Sequence, residues 1–169
     1  APEHAGMLKS KLNRAIKTVG VFVNTSIETV ALCVETASLD LVQLHGDETS
    51  EYIASLREYI HCPIIKAFKI SRAIDTERAM YSPADYVMLD SGAGAGKTFD
   101  WSLIGATKRK YFLAGGLTPE NVEQALEITP PPYALDVSTG VELNRLKDYR
   151  KVMKFISAVR NFKKKTIAK

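Results

Sequence analysis

The chain contains no uninterrupted apolar run of about 18 residues, the length a helix needs to cross a bilayer, so a membrane span is excluded. Its first residues, APEHAGMLKSK, lack the charged start and apolar stretch of a secretory signal. They also lack an initiator Met, which predicts that something once preceded them. Cysteine is scarce. Cys33 and Cys62 are the only two, too few for a disulfide framework, and a pair of thiols in a chain of this class predicts a reducing, cytoplasmic compartment. A basic face is missing as well, despite a net charge of +4. Five of the 23 bases lie in residues 160–169 with no acid among them, leaving 18 bases against 19 acids elsewhere. The basicity is a C-terminal tail, read as a solvated helix end, and nucleic-acid binding loses the clustered surface it needs.

What is present is an ordinary globular composition, 46% apolar and 25% charged, in 169 residues that make one domain with a sizeable core. Residues 3–16 place Ala5, Leu8, Leu12 and Ile16 near helical spacing, which predicts a helix. Thr18 to Val23 is a continuous apolar run, as in a strand covered on both faces. Thr25-Ser-Ile-Glu28 is a capping-box pattern opening the next helix. The same sentence then repeats, with strands starting near residues 19, 41, 64, 86, 111 and 133. Helices are expected between them, one near Trp101 to Thr107 and one capped by Thr118 with Pro119 at its first position. A last helix opens at Lys147-Asp148.

A βα period of 22 to 25 residues implies parallel strands with right-handed crossovers, in an open doubly wound sheet or a (β/α)8 TIM barrel. Each strand ends at residues with functional chemistry: Asn24, His45, Lys69, Asp90, Gly115-Gly116 and Ser138-Thr139. A barrel gathers such ends on one rim, which favours the barrel. Only about six βα units are present, and six strands leave two open edges.

The stretch YVMLDSGAGAGKTFDW, Tyr86 to Trp101, carries an apolar strand onto Asp90 and then into a glycine-rich loop. A nucleotide-binding P-loop requires four residues between its first Gly and the Gly-Lys pair. Here only three residues lie between Gly92 and Gly96, Ser91 stands where the first Gly belongs, and Phe-Asp-Trp follows Thr98. A lid containing Gly94, Gly96 and Lys97 beside Asp90 is the reading that remains. Leu113-Ala-Gly-Gly-Leu-Thr-Pro119 and Leu135-Asp-Val-Ser-Thr-Gly140 each end a strand on glycine, where backbone N–H groups can approach an anion unobstructed. On consecutive final strands they predict a phosphate site, the alternative being glycines that serve only tight turns.

LVQLHGDE (41–48), IIKAF (64–68), VMLDSGAGAGKTFDW (87–101), LAGGLTPENV (113–122) and LDVSTGVE (135–142) together resemble phosphoribosylanthranilate isomerase of tryptophan biosynthesis. The resemblance runs in order from about Val19 to Arg160. It implies a (β/α)8 barrel, no cofactor and no metal, a phosphorylated sugar-anthranilate substrate, and an Amadori rearrangement. It implies Asp90 as general acid, protonated part of the time beneath the lid. Gly115, Gly116, Ser138, Thr139 and Gly140 match the phosphate-gripping loops, and Asp136 a carboxylate near substrate. The family's first strand, first helix and second strand are not in this sequence. With them go the general-base Cys, set in Lys-Ile-Cys-Gly, and the Arg that grips anthranilate. Cys33, mid-helix, and Cys62, ahead of a strand, do not replace that Cys. Arg145-Leu146 stands where the family usually has a Gly, so the last loop is expected to differ in shape. His45 reads as a hydrogen-bonded rim histidine or a substrate contact, and Lys66 as the partner of a rim acid or a catalytic lysine. The second function considered is a non-catalytic partial barrel that binds a phosphorylated ligand or a complementary fragment. A monomer or homodimer is expected.

Overall fold

A computed structural model of the chain describes residues 1–92 and 97–167, the last five of these by backbone alone. In order, the elements are α1 (Pro2–Ser10), β1 (Val19–Phe22), α2 (Ile27–Ala37), β2 (Leu41–Leu44), α3 (Ser50–Leu56), β3 (Ile64–Lys69), α4 (Ala73–Met80) and β4 (Tyr86–Asp90). Then come a 3-10 turn (Trp101–Ile104), β5 (Tyr111–Leu113), α5 (Val122–Leu126), β6 (Ala134–Leu135), a second 3-10 turn (Thr139–Val141), β7 (Glu142–Leu143), β8 (Leu146–Lys147) and α6 (Tyr149–Ile167).

Strand order in the main sheet is β1-β2-β3-β4-β5-β6, and the pairs β1–β2, β2–β3 and β5–β6 are parallel. A doubly wound sheet reverses its order at a switch point; a strictly sequential order is the barrel's topology. β3 and β4 are apolar and buried along most of their length, as expected of parallel strands with both faces covered. No helix among the described residues is long and apolar enough to cross a membrane.

The chain divides into two compact units, residues 1–67 with 81–87, and residues 68–80 with 88–169. In the first, Val30, Val42, Leu44, Ile53, Leu56, Ile60, Ile64 and Ala84 form one buried cluster. Helix α2 begins at Ser26, whose hydroxyl accepts from the Thr29 N–H at 3.3 Å, and ends at Ser38 in the left-handed region. The cap is therefore one residue later than the Thr25 capping box implied, because the Thr25 hydroxyl is turned onto the Val23 carbonyl. Thr49 caps α3 in the same way, accepting from the Tyr52 N–H. In the second unit α5 packs on α6 and α4 on the first 3-10 turn, burying Ile104, Leu113, Leu117, Val122, Ala125 and Phe155.

Several expectations are corrected. α1 stops at Ser10, not residue 16, and buries none of its residues; Leu8, Leu12 and Ile16 are 53%, 43% and 53% exposed. β1 is not covered on both faces, since Val19, Val21 and Val23, which share one face, are largely exposed. The helix expected over 101–107 is a single 3-10 turn, held by the Asp100 carboxylate accepting from the Ser102 N–H. α5 begins at Val122, later than expected, although Thr118 does cap the turn that leads into it: its hydroxyl accepts from the Glu120 N–H at 3.2 Å and its carbonyl from the Val122 N–H at 3.1 Å. The last helix starts where expected, with Asp148 accepting from the Lys151 N–H at 2.9 Å.

Candidate active site

A cleft of about 690 Å³ is lined by Lys9, Leu12, Ile16, Thr36 and Asp40. Asp40 immediately precedes β2, which puts this cleft at the N-terminal ends of the strands, where conserved architecture of the barrel places stability and not chemistry. The Asp40 carboxylate is already occupied there by Lys9, Thr18 and Lys17, which hold it well below the usual carboxylate range. The site is to be sought at the other strand ends.

In the second unit three such ends meet. Asp90 closes β4, and its Oδ1 accepts from the Gly92 N–H at 3.1 Å. Gly115 follows β5 with φ of +83°; a Cβ placed there would lie 2.7 Å from Asp90 Oδ1 and 2.5 Å from the Ser91 nitrogen. The glycine turn is thus pressed directly against the acid. Gly116, at φ +65°, passes beneath residues 97–98, so that a Cβ would lie 2.5 Å from the Thr98 nitrogen and 2.7 Å from the Lys97 carbonyl oxygen. Gly140 lies against the Leu117 carbonyl and Thr118, with no room for a side chain. Only glycine permits these approaches, and the left-handed φ values at 115 and 116 require it a second time.

Asp90, Lys97, Gly115, Gly116 and Gly140 are therefore brought together. Ser138 and Thr139 are exposed and enter the cluster through Gly140, their neighbour in the chain. Asp136 is exposed at the end of β6, and its N–H donates to the Leu113 carbonyl. The lid residues Gly94 and Gly96 lie outside the described residues. Helix α5 has five residues and starts too late to lend its dipole to the glycine turn. What the turn offers an anion is its loop amides.

Asn121 is the residue that shapes the loop and that sequence reading missed. Its amide donates to the Gly116 carbonyl at 2.9 Å and its oxygen accepts from the Thr118 N–H at 2.8 Å. An Asn three residues after a Thr-Pro step was the available signal.

The first unit carries a separate polar cluster at the ends of β1, β2 and β3. Lys66 is 5% exposed and donates to Glu48 at 3.0 Å, to the Gly46 carbonyl at 2.6 Å and to the Ala67 carbonyl. Glu48, equally buried, also accepts from the N–H groups of Asn24 and Gly46. Burial alone would push the Glu48 carboxyl up, but those N–H groups and the Lys66 ammonium outweigh it and hold it below its ordinary value. Lys66 is thus the partner of a rim acid. His45 Nδ1 accepts from the Gln43 amide at 2.7 Å. Cys33 lies within α2 and Cys62 ahead of β3, neither at a C-terminal strand end. Among the described residues no group of three or more His, Cys, Asp or Glu could hold a metal ion.

The family model for N-(5'-phosphoribosyl)anthranilate (PRA) isomerase matches residues 1–158. The isomerase of Acetivibrio thermocellus is 42% identical over 172 aligned positions, covering 94% of this chain and 78% of that protein. The crystal structure of the Thermotoga maritima enzyme superposes with a TM-score of 0.85 at 37% identity, covering 95% of this chain and 81% of that one. A further isomerase structure, solved with reduced 1-(o-carboxyphenylamino)-1-deoxyribulose 5-phosphate, gives 0.83 at 36% identity, covering 95% and 80%. The sequential parallel sheet, the acid at the end of β4 and the two glycine turns stand on a (β/α)8 barrel framework, and the chain belongs to the N-(5'-phosphoribosyl)anthranilate isomerase family.

Proposed function

We propose that this chain supplies the acid and the phosphate clamp for the Amadori rearrangement of N-(5-phosphoribosyl)anthranilate to 1-(o-carboxyphenylamino)-1-deoxyribulose 5-phosphate, a step of tryptophan biosynthesis. The observation that carries the reading is the contact of the Asp90 carboxyl with Gly115, which sets a proton donor at the lip of an amide-lined turn. The phosphate is held by the loops of Gly115-Gly116 and Ser138-Thr139-Gly140. Asp90 then protonates the furanose ring oxygen, the C1′–O bond breaks, and the anilinic nitrogen lone pair forms the protonated Schiff base. Loss of the C2′ proton to a base gives the enolamine, which tautomerises to the ketone. Every step moves only protons and bonding pairs, so the chemistry needs no cofactor.

The base is the part this sequence does not provide. In the family it is a Cys ending the first strand, and neither Cys33 nor Cys62 occupies an equivalent place. The 169 residues by themselves are expected to show no appreciable isomerase activity. Loss of substrate fluorescence on adding the purified chain measures this, and substantial turnover overturns the placing of the base.

The exposed stripe of Val19, Val21 and Val23 favours a second reading, in which the chain is a partial barrel that pairs with a complementary fragment. β1 stands first in the sheet order, with one edge facing no strand among the described residues. Size-exclusion chromatography separates the two, because a monodisperse monomer argues against edge pairing. A cytoplasmic location and a monomeric or dimeric state belong to the first reading.

A further inference from the structure

The loop after β6 is held by a residue that neither the motifs nor the reaction uses. β7 and β8 form a tight antiparallel hairpin in which Glu142 stands opposite Lys147. Asn144 and Arg145 turn it, both at positive φ. The register brings the Lys147 ammonium back to the start of the loop. It donates to the Ser138 carbonyl at 3.0 Å, to the Ser138 hydroxyl at 3.0 Å and to Glu142 Oε1 at 2.6 Å. An ammonium has three hydrogens and no acceptor site, so these three contacts use its full capacity.

The consequence falls on Ser138. A serine hydroxyl ordinarily chooses between donating and accepting, and its proton rotates to suit. Here one lone pair of Oγ is taken by a cation that cannot accept in return. The hydroxyl proton therefore points away from Lys147, and the adjacent positive charge polarises the O–H bond. Holding the Ser138 carbonyl as well fixes the backbone, which sits at φ −122° and ψ −83° before the 3-10 turn.

We propose that Lys147 is a positioning residue for anion recognition: it commits Ser138 Oγ as a hydrogen-bond donor to the phosphate group and does not itself touch the ligand. The inference rests on the reading of the 138–140 loop as part of the phosphate clamp. The hairpin, closed by its two left-handed residues, is the device that delivers the lysine.

The test is a double-mutant cycle read by titrating inorganic phosphate into the purified chain, by calorimetry and by amide shifts of Gly115, Gly116 and Ser138. Ser138→Ala and Lys147→Met are each expected to weaken phosphate about five- to tenfold, the scale of one charge-assisted hydrogen bond. Lys147→Met added to Ser138→Ala is expected to cost nothing further. If Lys147→Met weakens phosphate equally in both backgrounds, the lysine acts by its own charge and the proposal fails; it fails also if Lys147→Met has no effect in the parent. If the parent shows no phosphate binding, or Ser138→Ala leaves it unchanged, the clamp reading falls and takes the proposal with it. Glu142→Gln, which loosens the ammonium without removing it, gives the same non-additivity should Lys147→Met not fold.

Discussion

At the scale of single residues, the site is built from absences of side chain. Gly140→Ala drives a methyl into the Leu117 carbonyl and must displace the 138–140 loop, so phosphate affinity is expected to fall more than about tenfold. Gly105 is the control. It has φ of +62° and ψ of −166°, a conformation reserved for glycine, yet a Cβ there meets nothing within 4 Å. Gly105→Ala is expected to cost about 1–3 kcal/mol in urea denaturation and to leave phosphate titration unchanged. Sequence alone showed that glycines stood at strand ends; it could not show which neighbour each one faces, because that depends on contacts between distant loops. The same holds for Glu48. It stands in the HGDE stretch after β2, but its partners, Asn24 after β1 and Lys66 in β3, come from elsewhere in the chain.

The Glu48–Lys66 pair also makes a pH prediction. Glu48 has a folded pKa below its unfolded value, so it contributes stability that is present above about pH 4.5 and lost as pH falls through the lower folded value. Glu48→Gln is expected to destabilise by about 3 kcal/mol at pH 7, the cost of leaving a buried cation without its counter-ion. The difference between parent and variant in urea midpoint is expected to shrink progressively below pH 4.5. A difference that stays constant to pH 3 contradicts the assignment of the pair as the source.

At the scale of elements, periodicity located all six strands of the main sheet and failed where local chemistry overrode it. The 101–107 segment reads as helical, yet Asp100 engages Ser102 two residues on and Gly105 ends the turn in a glycine-only conformation. After Thr118 the hydroxyl caps Glu120 as expected and Asn121 takes the Thr118 N–H, yet the regular helix begins only at Val122. The β7–β8 hairpin was visible only as a departure, Arg145 standing where a Gly is usual. With φ of +65° Arg145 carries a left-handed strain that glycine avoids. Arg145→Gly is expected to raise stability by about 1 kcal/mol in urea denaturation while the lysine's contact with Ser138 is kept, so phosphate affinity stays within about twofold.

At the scale of the molecule, a period of 22 to 25 residues predicted the sequential parallel sheet, and strand order 1 through 6 is what the structure has. What periodicity could not reveal is how thinly the first unit covers its leading elements. The stripe on α1 and the continuous apolar run of β1 both read as covered, because a pattern records which residues are apolar and says nothing of what lies against them.

That uncovered strand has a practical corollary for anyone handling the protein. A row of exposed valines on a strand with no sheet neighbour on one side among the described residues is a seed for sticky, open-ended stacking between copies, and it worsens with concentration and with salts that strengthen hydrophobic association. Val21, central in the row and 58% exposed, is the place for a gatekeeper charge: Val21→Lys is expected to raise the concentration at which turbidity begins, with the far-ultraviolet dichroism unaltered.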